Sequence, residues 1–145
     1  MQKVALTQLP ISIHRSMSEL KLQMRQLPQT PCPVIHRFAN GVYAREITIP
    51  ADTLVIGKVH RHECLNFLMK GEITVATEEG IRRLTAPYTF VSPPGTQKAA
   101  ITHSEVIWVN TIATELTDPE EIEKLFVCDT YDELELTGRI KELEG

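Results

Sequence analysis

Several features that commonly betray a function are scarce in this sequence. There are three cysteines, Cys32, Cys64 and Cys128, widely spaced and with no CxxC pair, which argues against a disulfide framework or a zinc knuckle. An odd count also fits a reducing compartment. Basic residues are outnumbered, 15 against 19 acidic, for a net charge of -4. That balance disfavours a general nucleic-acid-binding surface, which needs a basic face. No apolar run approaches membrane-spanning length, and MQKVALTQLPISIHRS lacks the continuous apolar core of a signal peptide. Internal repeats and low-complexity tracts are absent as well. The expectation is a soluble cytoplasmic protein with neither a membrane nor nucleic acid as partner.

What is present is one domain's worth of chain. The 145 residues are 42% hydrophobic, enough for a single core without disulfides or a structural metal. Residues 1–33 read as an N-terminal arm. Within it Leu20, Met24 and Leu27 fall at helical spacing between Met17 and Leu27, with Pro28 as a stop. This short helix would either pack on the body or face a partner subunit. Pro28, Pro31 and Pro33 mark the boundary. Residues 34–116 are a succession of short β-rich runs separated by Gly- and Pro-containing turns, with no helical stretch between them. This pattern predicts an antiparallel sandwich or barrel and excludes a doubly wound sheet. Residues 117–145 return to helix, with Asp118 as N-cap, Pro119 at the first position and Ile122, Leu125 and Phe126 as the apolar stripe. From Asp129 onward the chain is acidic and reads as a solvated face.

The stretch GKVHRHECLNFLMKG, residues 57–71, carries the most chemistry. Alternation along a strand puts His60, His62, Cys64 and Asn66 on one face. Two imidazoles and a thiol on one face would bind zinc, iron or manganese; the plainer reading is a hydrogen-bonded polar cluster. In Val42–Ile49 the more apolar face holds Tyr43, Arg45, Ile47 and Ile49, so Arg45 is expected to point inward. An interior guanidinium must meet an anion, either a ligand or Glu46, Glu63 or Glu105. Lys98 follows the Pro93-Pro94-Gly95 turn. Trp108, the sole tryptophan, shares a face with Asn110, and with Tyr88 offers stacking plus amide recognition. His14, His36 and His103 read as surface or loop residues, and Cys32 and Cys128 as structural thiols.

The HxH stretch leading into Lys-Gly-Glu-Ile-Thr-Val resembles the first motif of the cupin superfamily, and YTFVSPPGTQK resembles the second. The resemblance implies a cupin-like antiparallel barrel of jelly-roll type, with short helices at both ends. It also implies a metal held by histidines and a glutamate, but here Cys64 stands at the glutamate position and Lys98 where the second motif has its histidine. Protonated lysine has no lone pair to offer a cation. More narrowly, GVYAREITIP, the HxH stretch, APYTFVSPPGTQK and EVIWVNTI resemble cupin-like proteins encoded in tailed-phage and prophage genomes. In that group the strand reads His-x-x-Glu-His-x-Asn; His60, Glu63 and Asn66 match and Cys64 replaces a histidine.

Four functions follow as alternatives. One is an enzyme for a small anionic, nucleotide-like molecule, such as a host immune signal. His60 or His62 would serve as acid or base, Glu63 as their carboxylate partner, and Arg45 with Lys98 as the anion clamp, in lyase, isomerase or hydrolase chemistry without an obligatory metal. Tyr43, Cys64, Asn66, Tyr88, Trp108 and Asn110 would complete the ligand site. A second is a protein that sequesters such a ligand unchanged. A third is a virion or assembly component, and a fourth a metal-dependent dioxygenase. A homodimer is expected, since a small barrel exposes sheet edges that need cover.

Overall fold

The structure is a computed structural model describing residues 2–5, 17–77 and 79–128. His14 and the acidic segment from Asp129 onward lie outside the described residues. The chain runs β1 (Gln2–Ala5), α1 (Met17–Arg25), β2 (Val34–Ala39), β3 (Val42–Ile49), β4 (Thr53–Ile56), β5 (Val59–His60) and β6 (Cys64–Lys70). It continues with β7 (Glu72–Thr77), β8 (Gly80–Thr85), β9 (Tyr88–Ser92), β10 (Ala99–Thr102), β11 (Val106–Ala113), α2 (Pro119–Phe126) and β12 (Val127–Cys128). Two five-stranded antiparallel sheets, in the orders β1-β4-β10-β7-β8 and β2-β3-β11-β6-β9, enclose the core, and β12 pairs with β5 in a separate two-stranded piece.

Alternation decides what each sheet turns inward. In the second sheet Trp108 pairs with Ile47 and Leu68, and Asn110 pairs with Arg45 and Asn66. These rows face the first sheet, and Ile47, Ile49, Leu68, Val106 and Trp108 meet Val55, Ile73, Val75 and Leu84 in one buried cluster. A register shift between β11 and β6 at Ile107–Trp108 is a bulge that lets Leu68 and Lys70 face opposite ways. At the open edge Arg82 of β8 donates to the Tyr88 hydroxyl at 2.6 Å and lies over its ring.

The N-terminal residues, which show no clear period, nonetheless supply a strand. β1 lies antiparallel along β4, so this part of the expected arm is the edge of the first sheet. Its Val4 joins Leu54 and Ile56 of β4 in a second buried cluster, which α1 covers with Leu20 and Met24. Of the two roles open to that helix, it takes packing on the body. Burial of each such side chain is worth about 1.5–3 kcal/mol. The helix ends at Arg25, and the Gln29 side chain donates to the Leu27 carbonyl and to the Met24 carbonyl, which also accepts from the Leu27 N–H.

The turn from β6 to β7 depends on Gly71. Its φ is +89°, and a Cβ there would collide with the Glu105 carbonyl. Replacement by alanine combines left-handed backbone strain with a backbone clash. Gly71→Ala is therefore expected to destabilise the fold by about 3 kcal/mol or more, read as a fall in the urea midpoint. Wild-type stability in that variant would mean that the turn is not the one described.

Candidate functional site

Residues of both sheets line a cavity of about 510 Å³, within the size range of small-molecule sites. Its wall is mostly apolar, with Val34, Ile47, Ile49, Val55, Ile73, Val75, Ala100 and Trp108. Set into it are Tyr43, Arg45, His60, Lys98 and Asn110, and α2 contributes Ile122, Glu123 and Phe126 at the mouth. Asp118 caps α2 by accepting from the Glu120 N–H at 3.0 Å, and Pro119 opens the helix.

Of the eleven residues expected to form the site, six line this cavity: Tyr43, Arg45, His60, Lys98, Trp108 and Asn110. Two lie directly behind the wall. Asn66 is fully buried; its Nδ2 donates to the Cys64 carbonyl at 3.0 Å, the Phe90 carbonyl at 3.3 Å and Ser92 Oγ at 2.8 Å. Its Oδ1 accepts from Trp108 Nε1 at 3.2 Å and Asn110 Nδ2 at 2.7 Å. Cys64 is also buried, and its sulfur accepts from Asn110 Nδ2 at 3.3 Å. Tyr88 sits at the far edge of the second sheet, against Phe90 and Arg82.

His62 and Glu63 require correction. Both are exposed and neither lines the cavity. The strand expected to run unbroken through His60–Asn66 is interrupted at Arg61–Glu63. There the Arg61 N–H donates to the Phe126 carbonyl at 2.8 Å instead of to a sheet neighbour. His60 and Cys64 keep the inward phase on either side of the break, while His62 turns out and packs edge-on against Phe126, 5.1 Å between ring centroids. HxH therefore divides its labour: the first histidine faces the cavity and the second seats α2.

Arg45 has the inward orientation that alternation predicts, but its suggested protein partners are engaged elsewhere or remote. Glu46 pairs with Arg37 at 3.0 Å and Glu105 with Lys70 at 2.8 Å. Among the described residues Arg45 makes no hydrogen bond or ion pair. Lys98 donates to Ser92 Oγ at 3.2 Å. The cavity also has groups that the sequence reading missed. His36 hydrogen-bonds the Tyr43 hydroxyl through Nδ1 at 2.6 Å, Lys3 enters on the edge strand β1, and Lys58 pairs with Glu123 at 2.6 Å. His36 was legible in principle, because it falls on the same alternating face of β2 as Val34.

Burial, followed by Lys98 and then Arg45, pushes the His60 imidazole down to about 4, so it is neutral at neutral pH. Burial raises the Cys64 thiol despite the Asn110 hydrogen bond, which keeps it protonated. These properties do not suit a metal centre of the kind the motif resemblance implies. His62 is outside, Cys64 is a neutral thiol behind Asn110, and two cations act on His60. Among the described residues no three His, Cys, Asp or Glu side chains are gathered as a ligand set.

No family model and no curated protein matches the chain. Solved structures do match it. The cupin domain of Cnp3 from Schizosaccharomyces pombe superposes with a TM-score of 0.50 at 19% identity, covering 66% of this chain and 72% of that one. KdgF from Halomonas sp. gives 0.47 at 17% identity, over 57% and 77% of the two chains. A cupin-2 domain protein from Shewanella frigidimarina gives 0.46 at 14%, over 66% and 92%. The first likeness agrees with the two-sheet architecture: the fold is cupin-like, as the motifs imply. At such identities it speaks for the fold alone.

The position of His60 has a consequence for acid stability. As pH falls below about 6.5 the unfolded imidazole takes up a proton, whereas the folded one does so only near 4. Stability is therefore unaffected by this group above pH 6.5 and falls between 6.5 and 4, by about 3 kcal/mol in total. His60→Asn should flatten the dependence of the urea midpoint on pH across that window. Equal slopes for the variant and the parent would contradict the buried, cation-flanked placement of His60.

Proposed function

We propose that the cavity binds a small organic anion, holding its charge on Arg45 and Lys98 and its apolar body against the Ile47–Trp108 wall. The observation that carries this reading is the charge around an otherwise apolar pocket. Lys3, Arg45, Lys58 and Lys98 line it against Glu120 and Glu123, and Glu123 is engaged with Lys58. Among the described residues no carboxylate bonds the half-buried Arg45 guanidinium, and Glu123, which feels its charge, is already paired with Lys58; this favours an anionic ligand, since leaving such a charge unpaired is costly. Arginine also offers a planar fork suited to carboxylate or phosphate.

Binding without turnover is the better-supported form of this reading. Of the three candidate catalysts only His60 faces the cavity, and neither His62 nor Glu63 is placed to share a proton with it. A neutral imidazole beside two cations accepts a hydrogen bond from a ligand more readily than it captures a proton. No helix among the described residues is long and apolar enough to cross a membrane, which is compatible with action in the cytoplasm. The finer parts of the proposal rest on the phage-protein resemblance. They are a nucleotide-like ligand and capture of a host immune signal in an infected bacterial cell; a homodimeric state is proposed separately, from sheet edges that need cover.

Arg45→Met and Lys98→Met keep side-chain bulk and delete a cation. Each should weaken binding of the native ligand about ten- to a hundredfold, the scale of one charge-assisted hydrogen bond. Mass spectrometry of small molecules released from the purified protein identifies that ligand. Recovery of an intact anion from the parent, with less from both variants, supports sequestration. A neutral ligand, or an anion bound equally by all three proteins, would sink the proposal.

A further inference from the structure

The amide of Asn110 has a donor end and an acceptor end, and the hydrogen bonds behind it decide which of them meets a ligand. The indole N–H of Trp108 can only donate, and it meets the Asn66 amide at 3.2 Å. The Cys64 and Phe90 carbonyls can only accept, and they lie 3.0 and 3.3 Å from the opposite end of that amide. Asn66 must therefore turn Oδ1 toward Trp108 and Nδ2 toward the carbonyls; the flipped amide would set donor against donor and acceptor against acceptor.

That choice propagates one residue further. The Asn110 amide approaches Asn66 Oδ1 at 2.7 Å, so it must present Nδ2 there, and the same nitrogen donates to Cys64 Sγ at 3.3 Å. Both of its hydrogens are engaged. Asn110 Oδ1 has no donor among the described residues. It is not sealed in the interior either, because no buried side-chain nitrogen or oxygen among them lacks a partner. It opens into the cavity that Asn110 lines.

We propose that Asn110 Oδ1 is a fixed hydrogen-bond acceptor that selects anions carrying an N–H or O–H donor next to the charged group. The inference rests on the anion-binding reading above, because it takes the ligand's charge to be held by Arg45. Asn110 and Arg45 are direct cross-strand partners on β11 and β3, with Cα atoms about 5 Å apart. A ligand atom beside the anionic group therefore meets Oδ1. A donor there is paired, whereas an ether or tertiary amide sets lone pair against lone pair and leaves a buried acceptor unmatched.

Mandelate and O-methylmandelate share an aromatic body and a carboxylate, and differ in whether the neighbouring oxygen carries a hydrogen. Calorimetric titration of the full chain should show mandelate binding about tenfold tighter or more. Asn110→Leu should abolish the preference, while Arg45→Met should weaken both acids and preserve it. Equal affinities in the parent, with both acids still weakened by Arg45→Met, would overturn the acceptor role and leave the anion site standing. Failure of both acids to bind at millimolar concentration would remove the anion site and this inference together. A second measurement needs no variant. In 15N-labelled wild-type protein the Asn110 side-chain NH2 should exchange with water far more slowly than that of the exposed Asn40. Equally fast exchange would mean that the donor end faces the cavity, and would refute the assignment.

Discussion

Asn66 has no solvent exposure, so its amide must find every hydrogen bond inside the protein, and the arrangement of the second sheet follows from how it does so. Its partners lie on β6, β9 and β11, the strands that carry Cys64, Phe90, Ser92, Trp108 and Asn110. Through Ser92 the chain of contacts continues to Lys98 Nζ. One buried side chain thus joins the indole in the cavity wall, the amide beside Arg45 and the ammonium opposite. A polar network of this kind fixes orientations that apolar packing would leave free, because each member has a required donor or acceptor role.

The mouth of the cavity is organised by a different set of forces. Strand β12 pairs with β5, the Arg61 backbone and side chain donate to the Phe126 and Val127 carbonyls, and His62 packs on Phe126. The ion pair between Lys58 and Glu123 is half-exposed on its Glu123 side and adds little by itself. Burial of Ile122 to 2% supplies the apolar part of the seat. The break after His60 falls where the chain changes partners: β5 pairs with β12, whereas β6 pairs with β11 and β9.

Much of the architecture was legible because strand periodicity is local. The β-rich runs, the inward face of Val42–Ile49 with Arg45 on it, and the capped helix after Asp118 all follow from alternation, turn residues and capping chemistry. The resemblance of the two motifs pointed to the fold that the superposition on a cupin domain supports. β1 was not legible, since four residues with little pattern become a strand only when β4 offers them a partner. His62 was misread for the complementary reason: alternation holds only while the ladder does, and Phe126 and Val127 end it at Arg61.

What the sequence determined by itself is the set of side chains that a two-sided strand can turn inward: Tyr43 and Arg45, Asn66, and Trp108 with Asn110. Those assignments depend on neighbours two residues away and survive any docking of the sheets. Which of them face a cavity, which lie sealed behind it, and which end of an amide points into it were decided only by the tertiary structure. Burial and hydrogen-bond satisfaction are properties of strands brought together from distant parts of the chain. Asn66 and Trp108 lie 42 residues apart, and the direction of the Asn110 amide is defined only once they meet.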